Sequence, residues 1–117
     1  MNVIRRSETS EVTANNPIFT GTVSMRSMVS ADASQVGANI VHFHDGARTK
    51  RHTHTADQVL YITEGQGTVG DATGDSNVEA GDIVHIPAGE VHWHGAQPGH
   101  DMAHLAIMPP CQTRITE

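Results

Sequence analysis

Apolar residues come in short runs along this chain, each closed by a turn-forming pair. Runs rich in Val, Ile and Thr predict strands over residues 18–23, 38–44, 58–63, 67–69, 83–86, 91–95 and 102–107. Asp45-Gly46, Glu64-Gly65, Gly74-Asp75, Ala80-Gly81 and Ala88-Gly89 punctuate them as turn signals. No long helix is signalled. Many short strands at even spacing predict an all-β fold, an antiparallel barrel or sandwich.

The two-residue period of a strand sorts side chains between faces. His52 and His54 share one face, and so do His92 and His94, with Trp93 pointing away. Met102, His104, Ala106 and Met108 form one row, in which His104 is the polar member. Asn39, Val41 and Phe43 oppose Ile40, His42 and His44. The interior set predicted this way is Val41, Phe43, His52, His54, Gln58, Tyr61, His92, His94, His104 and Met108. Tyr61 enters against parity, being three residues from Gln58.

Composition narrows the classes. The 117 residues make one domain, with a net charge of −6 when histidine is neutral. No Lys/Arg-rich run and few aromatics argue against a nucleic-acid partner. No stretch of about 18 apolar residues predicts a membrane helix. The lone Cys111 cannot close an internal disulfide, which fits a reducing cytoplasm. Residues 1–16 are polar and carry no apolar signal-peptide core; they read as an arm ahead of a domain spanning 17–117.

Nine histidines then change the picture. His52-Thr53-His54 places two imidazoles on one strand face, and Gln58 keeps that face if the strand runs on. His92 follows the tight turn Pro87-Ala88-Gly89 and can supply a third imidazole. Three neutral imidazoles and one amide oxygen can close around one divalent metal. Without paired cysteines this is not a zinc-finger arrangement. Gln58 has a second reading, as a hydrogen-bonding residue beside the site. Its neutrality matters: with Gln in place of Glu, the site keeps a charge near +2. That makes a stronger Lewis acid and gives less support to a higher metal oxidation state, which favours non-redox chemistry.

The frame around these residues resembles the cupin superfamily. Gly46, His52-x-His54, Gln58 and Gly65 match its first block, and Gly81, Pro87-x-Gly89 and His92 its second. Two departures stand out: Gln58 occupies the usual Glu position, and Ala96 the usual Asn position. The resemblance implies a small jelly-roll β-barrel. The polar arm reads as disordered; the resemblance implies instead an edge strand exchanged within a homodimer. Open sheet edges add to the expectation of a homodimer.

A closer likeness is to the small bacterial cupin hydroxynitrile lyases, over most of residues 18–107. It rests on Phe19-Thr20-Gly21-Thr22-Val23, Gly46-Ala47-Arg48-Thr49, His52-Thr53-His54, Gln58, His92-Trp93-His94-Gly95-Ala96 and His104-Leu105-Ala106-Ile107. It implies one divalent metal per chain, manganese preferred over iron, zinc or nickel, held by His52, His54, Gln58 and His92. It implies His104 as the acid/base group, with His94 and Thr49 orienting the bound hydroxyl or cyanide. Val41, Phe43 and Met108 would shape the pocket for a small-molecule substrate. An iron-dependent cupin dioxygenase and a metal-gated small-ligand binding module stand as alternatives.

Overall fold

The computed structural model describes residues 1–117. Twelve strands follow in chain order: β1 (Val12–Thr13), β2 (Phe19–Thr20), β3 (Val23–Val29), β4 (Gly37–Phe43), β5 (Arg48–Thr49), β6 (His52–His54), β7 (Gln58–Asp71), β8 (Gly74–Glu79), β9 (Ile83–Ile86), β10 (Trp93–Ala96), β11 (Met102–Met108) and β12 (Thr113–Ile115). The only helical segments are single 3-10 turns at Arg6–Glu8 and Ala31–Ala33. The main sheet runs β1-β3-β4-β11-β7-β10-β5-β2, with β8 and β9 also on β7, while β12 and β6 form a separate pair. All these pairings are antiparallel. The sheet curls on itself, and the all-β jelly-roll expectation holds.

β7 makes the corner. Its first half pairs with β9 and β11, and its second half with β8 and β10. The sequence signal at Glu64-Gly65 is therefore not a chain reversal. It marks a bulge: Ala103 lies opposite Glu64 while His104 lies opposite Ile62, leaving Thr63 as the extra residue. Gly65 takes φ +78, and a side chain there would run into the Asp101 carbonyl oxygen. Only glycine fits that bend. One continuous strand thus replaces the two predicted over 58–63 and 67–69.

Before the bulge, Gln58, Leu60 and Ile62 are buried and alternate with more open neighbours. Tyr61 points outward at 42% exposure, so its predicted interior place is corrected: strand parity decides. Val23, Val41, Phe43, Ala47, Ile62, Ala96 and Met102 form the apolar core at one end of the barrel. Fully burying Phe43, Ile62 and Val23 stabilises the fold by about 1.5–3 kcal/mol each.

Other boundaries differ for local reasons. The predicted 18–23 strand breaks at Gly21, whose φ is +88 and which packs on Ala47, so β2 and β3 separate. β8 and β12 were not predicted, because Gly-Asp-Ser-Asn-Val-Glu and Thr-Arg-Ile carry no apolar alternation. The 1–16 segment contributes β1, which pairs with β3 of its own chain at Val12↔Met25 and Thr13↔Ser24.

Candidate metal centre

The short strand β6 aims His52 and His54 inward, 1% and 6% exposed. β12 holds one edge of β6, pairing Ile115 with His52 and Thr113 with His54. His92 arrives on the other edge through reciprocal backbone bonds: His52 N–H donates to His92 O at 3.0 Å, and His92 N–H to His52 O at 3.1 Å. The Pro87-Ala88-Gly89 turn makes this meeting possible. Gly89 N–H donates to His54 O at 2.8 Å, and Asp57 Oδ1 accepts the Ala88 N–H at 2.9 Å. The ring centroids of His52 and His92 then stand 4.2 Å apart, His52 and His54 4.8 Å, and His54 and His92 5.3 Å.

Gln58 reaches the site by another route than expected. The strand of His54 does not run on; residues 55–57 turn, and β7 starts afresh at Gln58. Gln58 still points inward because it shares a face with Leu60 and Ile62.

Hydrogen bonds fix the protonation of the three rings. His52 Nδ1 lies 2.7 Å from Lys50 O, and His92 Nδ1 lies 2.9 Å from Glu90 O. A carbonyl can only accept, so each Nδ1 carries the proton and each Nε2 is left bare. His54 Nδ1 sits 2.8 Å from the Thr113 hydroxyl, which can accept in the same way. His54 Nε2, His92 Nε2 and Gln58 Oε1 are all buried without a hydrogen-bond partner. Each such orphan costs on the order of 1–3 kcal/mol. Buried acceptors left unpaired together in this way are the donor set of a divalent cation, so the residues fit the metal that the resemblance implies.

A second layer stands beside these rings. His94 N–H donates to Thr49 Oγ1 at 3.1 Å, and Thr49 is buried. His104 Nε2 and His94 Nδ1 are 3.1 Å apart. The other nitrogens, His94 Nε2 and His104 Nδ1, are buried and unpartnered. Geometry also draws His94 toward the metal cluster: one nitrogen each of His52, His92 and His94 lies within 4.8 Å of the other two. The sequence reading kept His94 outside the ligand set and put His54 inside it. The Thr113 bond and the shorter ring-centroid distances, 4.8 and 5.3 Å against 5.6 and 5.8 Å, speak for His54; the grouping of donor nitrogens speaks for His94.

Most of these residues, His92 excepted, line a cavity of about 350 Å³. Thr49, His52, His54, Gln58, His94 and His104 form its polar part, and Val41, Met25, Ala106 and Met108 its apolar part. Phe43 does not line it, a correction to the expected pocket. It is fully buried behind the histidines, with its ring centroid 5.3 Å from that of His104 and 5.8 Å from that of His94. Asn16, Ile18, Phe19 and the 109–111 segment also line the cavity.

Burial holds the inner histidines neutral. It pushes His52 down to about 4 against the opposing Lys50 carbonyl, and His54 and His104 down to about 4. His92 is lowered and His94 lies well below its ordinary value, again chiefly through burial. Each folded value sits below that of the unfolded chain, near 6.5, so the unfolded chain binds more protons in between. The metal-free protein should therefore lose stability as pH falls from about 6.5 to about 4, by on the order of 3 kcal/mol for fully enclosed His104 alone. Thermal melts of metal-free protein across that range check this. A flat Tm would show that these rings are not held neutral by the fold.

Comparison with known proteins agrees with this geometry. The cupin domain family model matches residues 39–108. The chain is 43% identical over 91 residues to an (R)-mandelonitrile lyase of Granulicella tundricola, covering 76% of this chain and 70% of that protein. It is 35% identical over 75 residues to an acireductone dioxygenase of Picosynechococcus sp., covering 52% of this chain and 43% of that protein. A crystal structure of a cupin-like protein from Thermotoga maritima superposes with a TM-score of 0.80 at 30% identity, covering 86% of this chain and 81% of that one. With its jelly roll, its two histidine-bearing blocks meeting across β6 and the matched 39–108 core, the chain belongs to the cupin family.

Proposed function

We propose that this cupin is a metal-dependent lyase that cleaves a cyanohydrin to an aldehyde and hydrogen cyanide, and catalyses the reverse addition. The observation that carries the reading is the enclosed His94–His104 pair, 3.1 Å apart, on the same cavity as His52, His54 and Gln58, with His92 joined to His52 by its backbone. The 43% identity to a mandelonitrile lyase supports it. A divalent ion held by those four residues, manganese by preference, would supply Lewis acidity toward a substrate hydroxyl.

The rest is the work of the chain's own side chains. The two facing nitrogens of His94 and His104 share one proton. With that proton on His104 Nε2, His104 Nδ1 is bare and His94 Nε2 carries a hydrogen; with it on His94 Nδ1, the roles reverse. Either way, the pair offers one base and one donor at once. The base takes the hydroxyl proton, the carbon–carbon bond breaks with its electron pair leaving on cyanide, and the carbon–oxygen bond becomes a carbonyl. The histidine pair then returns a proton to cyanide. Thr49 Oγ1 accepts from His94, so its own hydroxyl hydrogen is free to orient the substrate oxygen. Val41 and Met108 receive the apolar substituent.

The test is turnover of mandelonitrile by manganese-loaded protein, with and without oxygen. Benzaldehyde should form faster than with free manganese, at the same rate in both atmospheres. Consumption that needs oxygen and iron would replace this reading with the dioxygenase that the Picosynechococcus likeness suggests.

A further inference from the structure

The outer face of β3 and β4 carries a second set of ligand-type side chains, which the interior site leaves unused. His42 and His44, two apart on one strand edge, stack with centroids 4.1 Å apart and 22° between planes. Glu11 Oε1, from the arm, lies 3.7 Å from His42 Nδ1. Ser24 Oγ lies 2.7 Å from Glu11 Oε1 and 3.0 Å from His44 Nε2. The opposite nitrogens of both rings face Asp101: its Oδ2 is 3.5 Å from His42 Nε2 and 3.7 Å from His44 Nδ1. Asp101 is itself anchored, since Oδ1 accepts the Asp45 N–H at 2.8 Å.

We infer that Glu11, His42 and His44 form a second divalent-metal site, for a borderline ion such as Zn²⁺, which clamps the N-terminal segment to the sheet. One donor atom from each of the three lies within 4.8 Å of the other two. Tetrahedral zinc at about 2.0–2.1 Å from its ligands separates neighbouring donors by about 3.4 Å. Glu11, whose side chain is 41% exposed, and the His42 and His44 rings, 25% and 37% exposed, have room to draw together. Asp101 places a carboxylate behind both rings, 3.5 and 3.7 Å away, where it can orient metal-bound imidazoles. An ordinary pair of exposed His–carboxylate contacts explains less. The stacking, 4.1 Å between centroids, turns His42 Nδ1 and His44 Nε2 to the side where Glu11 and Ser24 lie, so that one cation can take both rings. Glu11 directly precedes β1, so an ion here ties the β1–β3 pairing in place. Asn16, Ile18 and Phe19, a few residues on, line the interior cavity.

The experiment compares the wild-type protein with His42→Ala/His44→Ala, which alters only partly exposed side chains. Both are stripped of metal, equilibrated with zinc and analysed for bound ion after desalting. The central site contributes equally to both, so the difference reports the outer pair alone: one zinc per chain more in the wild type. Asp101→Asn, which keeps its bond to Asp45, should weaken that extra zinc by about tenfold. Zinc should also slow hydrogen exchange at residues 11–14 in the wild type and not in the double variant. Equal zinc content in the two proteins overturns the site. Extra zinc with unchanged exchange at 11–14 overturns the clamp.

Discussion

His52→Ala/His54→Ala is expected to retain less than about a tenth of the manganese that the wild type holds after desalting, because even residues that merely support metal ligands cost 10–100-fold in affinity. The readout belongs in a His42→Ala/His44→Ala background, so that the outer cluster adds nothing. A second measure is thermal: an ion at about a hundred times its Kd stabilises by about 2.7 kcal/mol, and the variant should show no such gain. Folding should survive, since β6 is held by backbone pairing to β12 and to His92 rather than by its imidazoles. The single variants separate the two candidate ligand sets. His54 has its Nδ1 committed to Thr113 and its Nε2 bare, so His54→Ala should lose the ion. His94 is tied to His104, so His94→Ala should keep it. The reverse outcome would assign the ion to the trio of His52, His92 and His94. Full retention in the double variant would place the ligands elsewhere.

Local period made the heart of this site legible. His52-x-His54 needed only the two-residue strand repeat, and His92 needed only the Pro-x-Gly turn. The same repeat placed His94 and His104 inside correctly. Gln58 was found for an incomplete reason. Its face follows from Leu60 and Ile62 after it, not from His54 before it, because Asp57 bends the chain to fasten the Ala88 turn. What lay out of reach was nonlocal or backbone. Thr113 supports His54 from 59 residues away, on a polar strand with no apolar alternation. The Lys50 and Glu90 carbonyls that set the ring tautomers carry no side-chain signature. Their shared spacing, two residues before His52 and two before His92, is a signal that sequence could offer. The bend at Gly65 looked like a reversal, because positive-φ glycine serves turns and bulges alike.

His104→Ala should cut the turnover of metal-loaded protein by about 10²–10⁴-fold while leaving its manganese content intact, the usual contribution of a positioned acid–base group. That is about 2.7–5.5 kcal/mol of barrier. The bulge at Thr63 sets the residue opposite Ile62 and Val41, in an otherwise apolar row, with Nε2 on His94 and Nδ1 unpartnered. A buried polar side chain in such a row must be satisfied or serve a ligand. If His104 only orients His94, then His104→Gln, which can still hydrogen-bond His94 but cannot shuttle a proton, should restore most of the rate. If it moves protons, His104→Gln should be nearly as slow as alanine, and His94→Ala should be comparably slow, since either ring's loss breaks the pair. Losses on a shared relay should not add in the double variant. The pH profile offers an independent mark. A base held neutral by burial down to about 4 keeps the wild-type rate from falling until the pH nears that value. Full activity in His104→Ala would remove proton transfer through this pair from the reaction, and the lyase mechanism with it.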